Sequence, residues 1–378
     1  MLTASLTECV PVSSRGELKE WIALTDRLYA GDSGFIPPFR QQLVDFYERK
    51  APYFRYGEIE FLSAVRDGEV VGRSTAHTSS KLDAKLGERS LLFGFTEFVD
   101  EDAFAALAAE LERRARALDA TQLFGPVNLL PNQSGGVVTS GYGERGFIDS
   151  PYNPPYYPSA YEAQGFGRVF EGATFICPLG GDDRPVEELF PFPEERIAAE
   201  RLEVRQADRR RVDEQLPFIR EMLNASFAQL GYYTEIDADE LAYQVDGLSH
   251  LLDERIALYL FKDGRPIAFI LCVPDISDFV REIDGNLNLR NQLRLLLRRK
   301  RYRREAVAVI KGTVPEEQGQ GYMRLLSREL LRNLREAGYE TLRGTFIEAE
   351  NTASASQAEH MAGRPLHGVT FYHRAVGG

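Results

Sequence analysis

The sequence contains two hairpin segments of the same design, one in each half of the chain. Residues 61–72 (FLSAVRDGEVVG) are typical of a strand, an Asp-Gly turn and a second strand, and residues 257–268 (ALYLFKDGRPIA) repeat this plan. The two Asp-Gly pairs stand 196 positions apart in a chain of 378 residues. This spacing is far longer than a solenoid repeat, and it predicts two copies of one mixed α/β domain.

The segments that follow each hairpin also correspond. Apolar residues at spacings of three and four predict one amphipathic helix in each half. These residues are Phe104, Leu107, Leu111, Ala115 and Leu118, and then Met323, Leu326, Leu330, Leu334 and Ala337. A strand, a short helix and a final strand are then expected, over 121–128, 157–164 and 166–177 in the first half and over 341–348, 352–361 and 369–375 in the second.

A stretch rich in proline and acidic residues separates the halves. Its sequence is GGDDRPVEELFPFPEE, residues 180–195, and this composition is typical of a linker. We therefore predict a first domain over residues 1–180, a linker over 181–199 and a second domain over 200–378.

Composition excludes several functional classes. The net charge of −12 argues against a general nucleic-acid binder, because phosphate binding needs a basic surface. Cys9, Cys177 and Cys272 are too far apart for a disulfide framework or a zinc site, and we expect no metal. The sequence has no run of about 18 apolar residues and no signal-peptide pattern, so we expect a cytoplasmic protein.

The most informative segment is residues 305–323 (EAVAVIKGTVPEEQGQGYM). An aliphatic strand leads through Pro315 into a polar turn with Gly319 and Gly321, and then into the second amphipathic helix. A strand, a glycine loop and a helix start together direct unpaired backbone N–H groups and the positive end of the helix at one point. Such a point binds anions and suits a pyrophosphate. It is not a Walker loop, because no Gly-Lys-Ser/Thr follows.

This segment resembles the acyl-CoA motif of the GNAT superfamily of N-acyltransferases. In that motif a strand ending in Val-x-Pro leads to Arg/Gln-x-x-Gly-x-Gly/Ala at the start of a helix. Val314, Pro315, Gln318 and Gly321 match it, and Met323 stands where the last small residue belongs. The resemblance implies acyl-CoA or acetyl-CoA as co-substrate, and cofactor-binding residues Thr313, Val314, Gln318, Gly319, Gln320, Gly321, Tyr322 and Met323.

The resemblance also implies a fold class. It is α/β (α+β), with tandem GNAT-like domains that each contain a mixed, mostly antiparallel sheet flanked by helices. Gly338, Tyr339, the strand before residue 348 and Asn351 follow the loop at the distances expected for that fold.

Short phrases along the whole chain extend the resemblance to both halves. They are VGR (71–73), FGF (93–95), GPVN (125–128) and YNPPYY (152–157), and then NA (224–225), GY (231–232), EN (350–351) and Tyr372. They are similar to phrases in a group of bacterial two-domain GNAT-like proteins. Some members of that group are bacterial ceramide synthases, which transfer a fatty acyl chain from CoA to a sphingoid amine.

The implied reaction assigns roles to a few residues. Amide formation from a thioester needs a neutral amine, support for the oxyanion and a proton for the leaving thiolate. In the GNAT plan the thioester lies where the loop strand and its successor diverge, so backbone N–H groups near Thr313 and Val314 would hold it. The catalytic candidates are Glu348 or Glu350 as base, Asn351 to orient the sulfur, and Tyr372 or Tyr339 as proton donor. Both glutamates are equally interpreted as exposed charges at a strand end.

The first half departs from the motif. Asp100, Glu101 and Asp102 stand between its strand and its helix, where they cap the helix but add negative charge at the pyrophosphate position. We predict that this copy lost CoA and completes the substrate cavity. The substrate-binding candidates are Asn128, Asn153, Tyr156, Asn224 and Tyr232, with Asn132 as a further lining residue. The alternative is that these residues form turns and core.

A basic cluster occupies residues 288–306 (NLRNQLRLLLRRKRYRREA). Its cations are Arg290, Arg294, Arg298, Arg299, Lys300, Arg301, Arg303 and Arg304. Three interpretations remain open: a solvated face, a contact with the 3′-phosphate of CoA, and peripheral contact with an anionic membrane at its inner face.

Three functions remain open as well. The first is an acyl-CoA-dependent N-acyltransferase acting on a primary amine, with a long-chain acyl group and a sphingoid base as the specific version. The second is an N-acetyltransferase for a small polar amine, such as an amino sugar, an amino acid or a peptide. The third is a non-catalytic binding protein with the same fold.

Overall fold

The computed structural model describes residues 6–130, 134–181, 184–246 and 251–377, which divide into two compact units. Unit 1 comprises Met1–Glu171, Val280–Leu287 and His367–Gly378. Unit 2 comprises Gly172–Phe279 and Asn288–Leu366.

Unit 1 contains the elements of the first half of the chain. Its strands are β1 (Glu8–Pro11), β2 (Gly57–Arg66), β3 (Glu69–Ser79), β4 (Ser90–Phe98), β5 (Gln122–Gly125) and β6 (Val137–Ser140). Its helices are α1 (Arg15–Leu28), α2 (Arg40–Tyr47), α3 (Ser80–Leu86), α4 (Glu101–Ala117) and α5 (Tyr157–Ala163). Strand β7 (Gly167–Pro178) begins in unit 1 and ends in unit 2.

Unit 2 contains most of the second half. Its strands are β8 (Leu202–Gln206), β9 (Ala257–Lys262), β10 (Arg265–Pro274), β11 (Glu305–Thr313) and β12 (Thr341–Glu348). Its helices are α6 (Val186–Leu189), α7 (Glu194–Ala199), α8 (Val212–Phe227), α9 (Ala238–Val245), α11 (Leu289–Arg298), α12 (Tyr322–Glu336) and α13 (Thr352–His360). Helix α10 (Ser277–Glu282) begins in unit 2 and ends in unit 1, as does strand β13 (Arg364–Ala375).

The two units have the same sheet order. In unit 1 the order is β1-β2-β3-β4-β5-β13, and in unit 2 it is β8-β9-β10-β11-β12-β7. Antiparallel pairing predominates in both, and the parallel neighbours are β4 with β5 and β11 with β12. The predicted fold class, a mixed and mostly antiparallel sheet flanked by helices in two copies, is confirmed.

Both predicted hairpins are confirmed at matching positions of the two sheets. The turns between β2 and β3 and between β9 and β10 each place the Asp and the Gly at positive φ, at 53° and 82° for Asp67 and Gly68 and at 51° and 80° for Asp263 and Gly264. Two consecutive residues at positive φ are what a two-residue hairpin of the primed type requires.

The predicted amphipathic helices are α4 and α12, and each packs its apolar face on the sheet of its own unit. Leu107 and Leu111 lie fully buried in the core of unit 1. Leu326 and Leu334 do the same in unit 2. Among the described residues, no helix combines the length and the apolar character needed to cross a membrane.

The units differ from the predicted domains around residue 180 and at the C-terminus. The segment predicted as a linker lies in unit 2, because Val186, Leu189, Phe190 and Phe192 are buried in the core of that unit. The end of β7 pairs with β12 in unit 2, whereas the end of β13 pairs with β5 in unit 1. Each sheet is therefore completed by the final strand of the other half.

Candidate functional site

In unit 2, strands β11 and β12 pair with each other only at their beginnings. Their parallel ladder joins residues 305–308 to residues 341–344 and then stops. Strand β11 continues to Thr313 beside β10, and β12 continues to Glu348 beside β7. Two strands that keep their outer partners but lose each other leave a gap between them, edged by backbone that the ladder no longer pairs.

The backbone of β11 alternates between the sheet and this gap. The N–H of Val314 donates to the carbonyl oxygen of Ile267 at 2.9 Å. Because N–H groups alternate in direction along a strand, those of Val314 and Gly312 face β10, and those of Lys311 and Thr313 face the gap. The prediction that the N–H of Val314 binds a ligand is therefore wrong, since the sheet uses that donor.

Beyond β11 the chain reaches an uncapped helix start. Gly321 precedes α12 with φ of 79°, Gly319 has φ of 75°, and no side chain caps the helix. A Cβ atom built on either glycine meets nothing within 4 Å. The first N–H groups of α12 and the positive end of its dipole therefore face open space, which is the geometry of an anion site.

Side chains of unit 2 hold this glycine loop from behind. The Gln318 amide donates to the carbonyl oxygen of Thr313 at 3.0 Å, and the Arg196 guanidinium donates to the carbonyl oxygen of Gln320 at 3.1 Å. Gln318 and Gln320, both predicted to bind the cofactor, thus use these groups to shape the loop.

The tyrosine at the start of α12 is tied into a charged cluster. Lys262 donates to the Glu317 carboxylate at 2.9 Å and to the Tyr322 hydroxyl oxygen at 3.0 Å. The Tyr322 hydroxyl donates to Glu200. Tyr322 can therefore contribute its backbone N–H to an anion, while its side chain stays engaged below the loop.

Met323, which replaces a small residue of the motif, does not stand in the loop. Its side chain packs against the hydrophobic core of unit 2. The longer side chain is therefore accommodated away from the uncapped N–H groups.

The corresponding helix start in unit 1 is capped. The Asp100 carboxylate accepts the N–H of Ala103 at 2.9 Å and forms an ion pair with Arg66 at 2.7 Å. The hydrogen bonds from Arg66 are the main cause that holds the pKa of Asp100 below its usual range. An anion approaching α4 would meet this carboxylate.

The corresponding strand gap in unit 1 is filled. Strands β4 and β5 pair over residues 90–92 and 122–124, and then Val127 donates its N–H to the carbonyl oxygen of Phe93 at 2.8 Å. The N–H of Phe95 donates to Oδ1 of Asn128 at 3.1 Å. A Cβ atom on Gly94 would lie 1.8 Å from the carbonyl oxygen of Val127, so the chain after β5 occupies the space that is open in unit 2.

Comparison with solved structures identifies this arrangement. A tandem GNAT protein from the clavulanic acid biosynthesis pathway superposes with a TM-score of 0.59 at 14% identity, over 98% of this chain and 99% of that one. A GCN5-related N-acetyltransferase from Sphaerobacter thermophilus gives a TM-score of 0.54 at 10% identity, over 97% and 96% of the two chains. The chain has the tandem GNAT fold.

Sequence comparison agrees with the resemblance stated above. A protein named bacterial ceramide synthase from Caulobacter vibrioides is 24% identical over 97% of this chain and 97% of its own length. No protein-family model matches the chain. The named relatives are acyltransferases, consistent with the expected N-acyltransferase class.

Glu348 and Tyr232 are the predicted residues that the second GNAT unit brings near one another. Glu348 ends β12 at the edge of the gap, where burial and the nearby charge of Glu350 raise the pKa of its carboxyl. Burial, followed by the charge of Glu348, raises the pKa of Tyr232. Glu350 is exposed. A partly buried carboxyl with a raised pKa is the better placed of the two for proton transfer.

The other catalytic candidates have structural contacts. Oδ1 of Asn351 accepts the N–H of Ser354 at 3.1 Å and caps α13. Tyr339 is buried and donates its hydroxyl to Asp253 at 3.0 Å, after the C-terminal end of α12. That end of the helix is opposite the loop.

Tyr372 lies in unit 1, on the part of β13 that pairs with β5. It is fully buried, stacks on Tyr161 with ring centroids 4.5 Å apart and contacts Glu162 through its hydroxyl at 3.4 Å. The prediction that Tyr372 donates a proton beside Glu348 finds no support, because the two residues belong to different units and core packing accounts for the tyrosine.

The substrate candidates of unit 1 are engaged within that unit. Asn128 bridges the N–H of Phe95 and the hydroxyl of Ser134, Asn153 bonds both backbone groups of Val138, and Tyr156 donates to the carbonyl oxygen of Phe98. In unit 2, Asn224 accepts from the Tyr233 hydroxyl and donates to the carbonyl oxygen of Ile236. Asn132 lies outside the described residues. The interpretation as turns and core accounts for these contacts.

Lys311 is a residue of the gap that sequence reasoning missed. Its Nζ donates to the Gln357 side chain on α13, and burial lowers the pKa of the amine to about 8. A lone lysine in the aliphatic stretch AVAVIKGT was the available signal.

Two buried hydroxyls of unit 2 were also missed. Ser226 and Thr234 have no hydrogen-bond partner within the described part of the chain. Oγ of Ser226 lies 2.8 Å from a Cβ atom built on Gly312, so α8 approaches β11 closely where the strand borders the gap. Buried hydroxyls are ordinarily paired, and these two are free to bond a polar ligand.

Proposed function

We propose that the chain is a GNAT-type N-acyltransferase whose second unit transfers an acyl group from CoA to a primary amine. One observation carries the proposal: in unit 2 an uncapped helix start adjoins an open gap between β11 and β12. A pyrophosphate suits the first, and a pantetheine arm, which needs backbone partners in an extended slot, suits the second.

The backbone of unit 2 supplies the binding groups. The N–H groups at the start of α12 would bind the pyrophosphate, and the gap-facing N–H groups of Lys311 and Thr313 would bond the pantetheine amides and the thioester carbonyl. Donors preorganised toward the carbonyl oxygen stabilise the charge that develops on it during acyl transfer.

Glu348 is the proposed base. The amine nitrogen attacks the thioester carbon and loses a proton to Glu348, directly or through a water molecule. As the carbonyl forms again the carbon–sulfur bond breaks, and the thiolate takes a proton. Lys311 is the proposed donor of that proton, because its amine lies at the gap and titrates near neutral pH.

A long-chain acyl donor and a sphingoid base are the proposed substrates. The full-length similarity to a protein named bacterial ceramide synthase supports them. The free hydroxyls of Ser226 and Thr234 suit an acceptor that carries hydroxyl groups beside its amine.

The test is a release assay for free CoA thiol, with acetyl-CoA and palmitoyl-CoA each offered to sphinganine, glucosamine and an amino acid. We expect turnover with palmitoyl-CoA and sphinganine, and a rise in melting temperature with either CoA ester. Turnover confined to acetyl-CoA and a polar amine would replace the proposed substrates. The absence of both turnover and a thermal shift would refute the acyltransferase.

A further inference from the structure

Helix α11 carries four exposed leucines on one side. Leu289, Leu293 and Leu297 are 83%, 59% and 79% exposed, and Leu296 is 36% exposed. Leu295 faces inward at 3%. At about 100° per residue, the exposed leucines cover an arc of roughly 100°. Few monomeric proteins expose a contiguous apolar stripe without a partner for it.

A row of arginines runs beside this stripe. Arg290, Arg294 and Arg298 follow one another at spacings of four, so they lie along one side of the helix. The chain then continues into a short 3₁₀ helix, Arg299–Tyr302, with three further cations. This concentration of positive charge stands in a chain of net charge −12.

A cationic cavity adjoins the end of α11. It has a volume of about 260 Å³ and is lined by Gln206, Arg209, Leu252, Asp253, Glu254, Arg255, Arg299, Lys300 and Arg303. Asp253 pairs with Arg255 at 2.6 Å and with Arg303 at 3.5 Å. The side chains of Arg299 and Lys300 have no ion-pair partner among the described residues. The cavity thus keeps a surplus of positive charge.

We propose that α11 and the segment 299–303 dock on an anionic membrane. The leucine stripe would enter the boundary of the acyl chains, the arginine row would lie at the phosphates, and a lipid headgroup would occupy the cationic cavity. A helix of ten residues lies in the plane of the interface, because it is too short to span a bilayer. The apolar stripe selects a hydrocarbon surface, and the adjoining cations select an anionic one.

The experiment is co-sedimentation of the full chain with vesicles of phosphatidylcholine alone or mixed equally with phosphatidylglycerol. We expect binding to the mixed vesicles only, weakening with added salt. Leu293→Ser with Leu297→Ser should weaken it by about 10-fold or more. Arg290→Gln with Arg294→Gln should weaken it by roughly 5-fold per arginine. Leu118→Ser, at an exposed leucine of unit 1, is the control that keeps full binding.

The outcomes separate the membrane from other occupants. Circular dichroism and sedimentation velocity without lipid verify that each variant folds and report its oligomeric state. Equal binding to both vesicle types, or wild-type binding by both pairs of variants, would overturn the proposal. A lipid-free dimer that the leucine variants dissociate, without vesicle binding by the wild type, would assign the stripe to self-association instead. None of these readouts depends on acyl transfer.

Discussion

The two units share one strand order but differ where the fourth strand of each sheet meets the next helix. In unit 1 the Asp100 carboxylate caps α4, and the chain around Asn128 fills the gap between β4 and β5. In unit 2 Gly321 leaves α12 uncapped, and the ladder between β11 and β12 ends at residues 308 and 344. The comparison shows that a duplicated fold loses an anion site through local changes, one carboxylate and one filled gap, without any change in topology.

The largest expected effect separates Glu348, at the edge of the open gap, from its exposed neighbour. Glu348→Gln should lower kcat by roughly 10²–10⁴-fold, the range for removal of a general base, with binding of acyl-CoA retained. Glu350→Gln, the matched control, should change kcat far less. In the wild type kcat/KM should fall as pH falls through the raised pKa of Glu348, because the base must be ionised. Equal losses in both variants would argue against this assignment.

The second prediction converts the helix start of unit 2 to the charge pattern of unit 1. Gly321→Asp should weaken acyl-CoA binding by roughly 10- to 100-fold, because the carboxylate would compete with and repel the pyrophosphate. Gly338→Asp is the control, since Gly338 has the same φ of 79° and equally open surroundings beyond the other end of α12. Isothermal titration with CoA measures both. Equal affinity in the two variants would remove the loop from the binding site.

The third prediction concerns Lys311, the buried amine of the open gap. Lys311→Met should raise the free energy of unfolding at pH 7 by about 2–3 kcal/mol, because the folded state no longer buries a charge. The wild type should gain stability as pH rises from about 8 toward the ordinary lysine value, since the folded state loses its proton first. The difference between the two proteins should shrink over that window. Urea unfolding at several pH values tests this, and a constant difference would contradict the buried charge.

The smallest expected effect lies in the closed unit. Asp100→Ala should lower the free energy of unfolding by about 1 kcal/mol through loss of the helix cap. The loss should vanish in acid, as pH falls through the depressed pKa of Asp100. CoA affinity should stay unchanged, because the filled gap of unit 1 remains. An added CoA site in this variant would show that the carboxylate alone had closed the unit. Asp102→Ala, two positions along in the first turn, is the control.

Much of the fold could be predicted from the sequence because its signals are local. The Asp-Gly turns at Asp67 and Asp263 require two residues at positive φ, and the helices α4 and α12 show an apolar spacing of three and four. The glycine loop before α12 was predicted for the same reason. The linker prediction failed because a proline-rich composition does not reveal that Phe190 and Phe192 have a core to enter.

The candidate site could be predicted only in part. Glu348 was found because it ends a strand, and strand ends are visible in a pattern. The roles assigned to Tyr372 and Asn128 did not hold, because a side chain's partners depend on residues distant in the chain, here Glu162 and Phe95. Lys311 was missed because its burial depends on α13 and on the surrounding strands.

By itself, the sequence determined the repeated hairpins, the two amphipathic helices and the glycine loop, since each depends on turn geometry or on periodicity within a few residues. Only the tertiary structure decided that β13 completes the sheet of unit 1, that one strand gap is filled and the other open, and which polar side chains are already paired. These features depend on contacts between segments far apart in the chain, and no local pattern encodes such contacts.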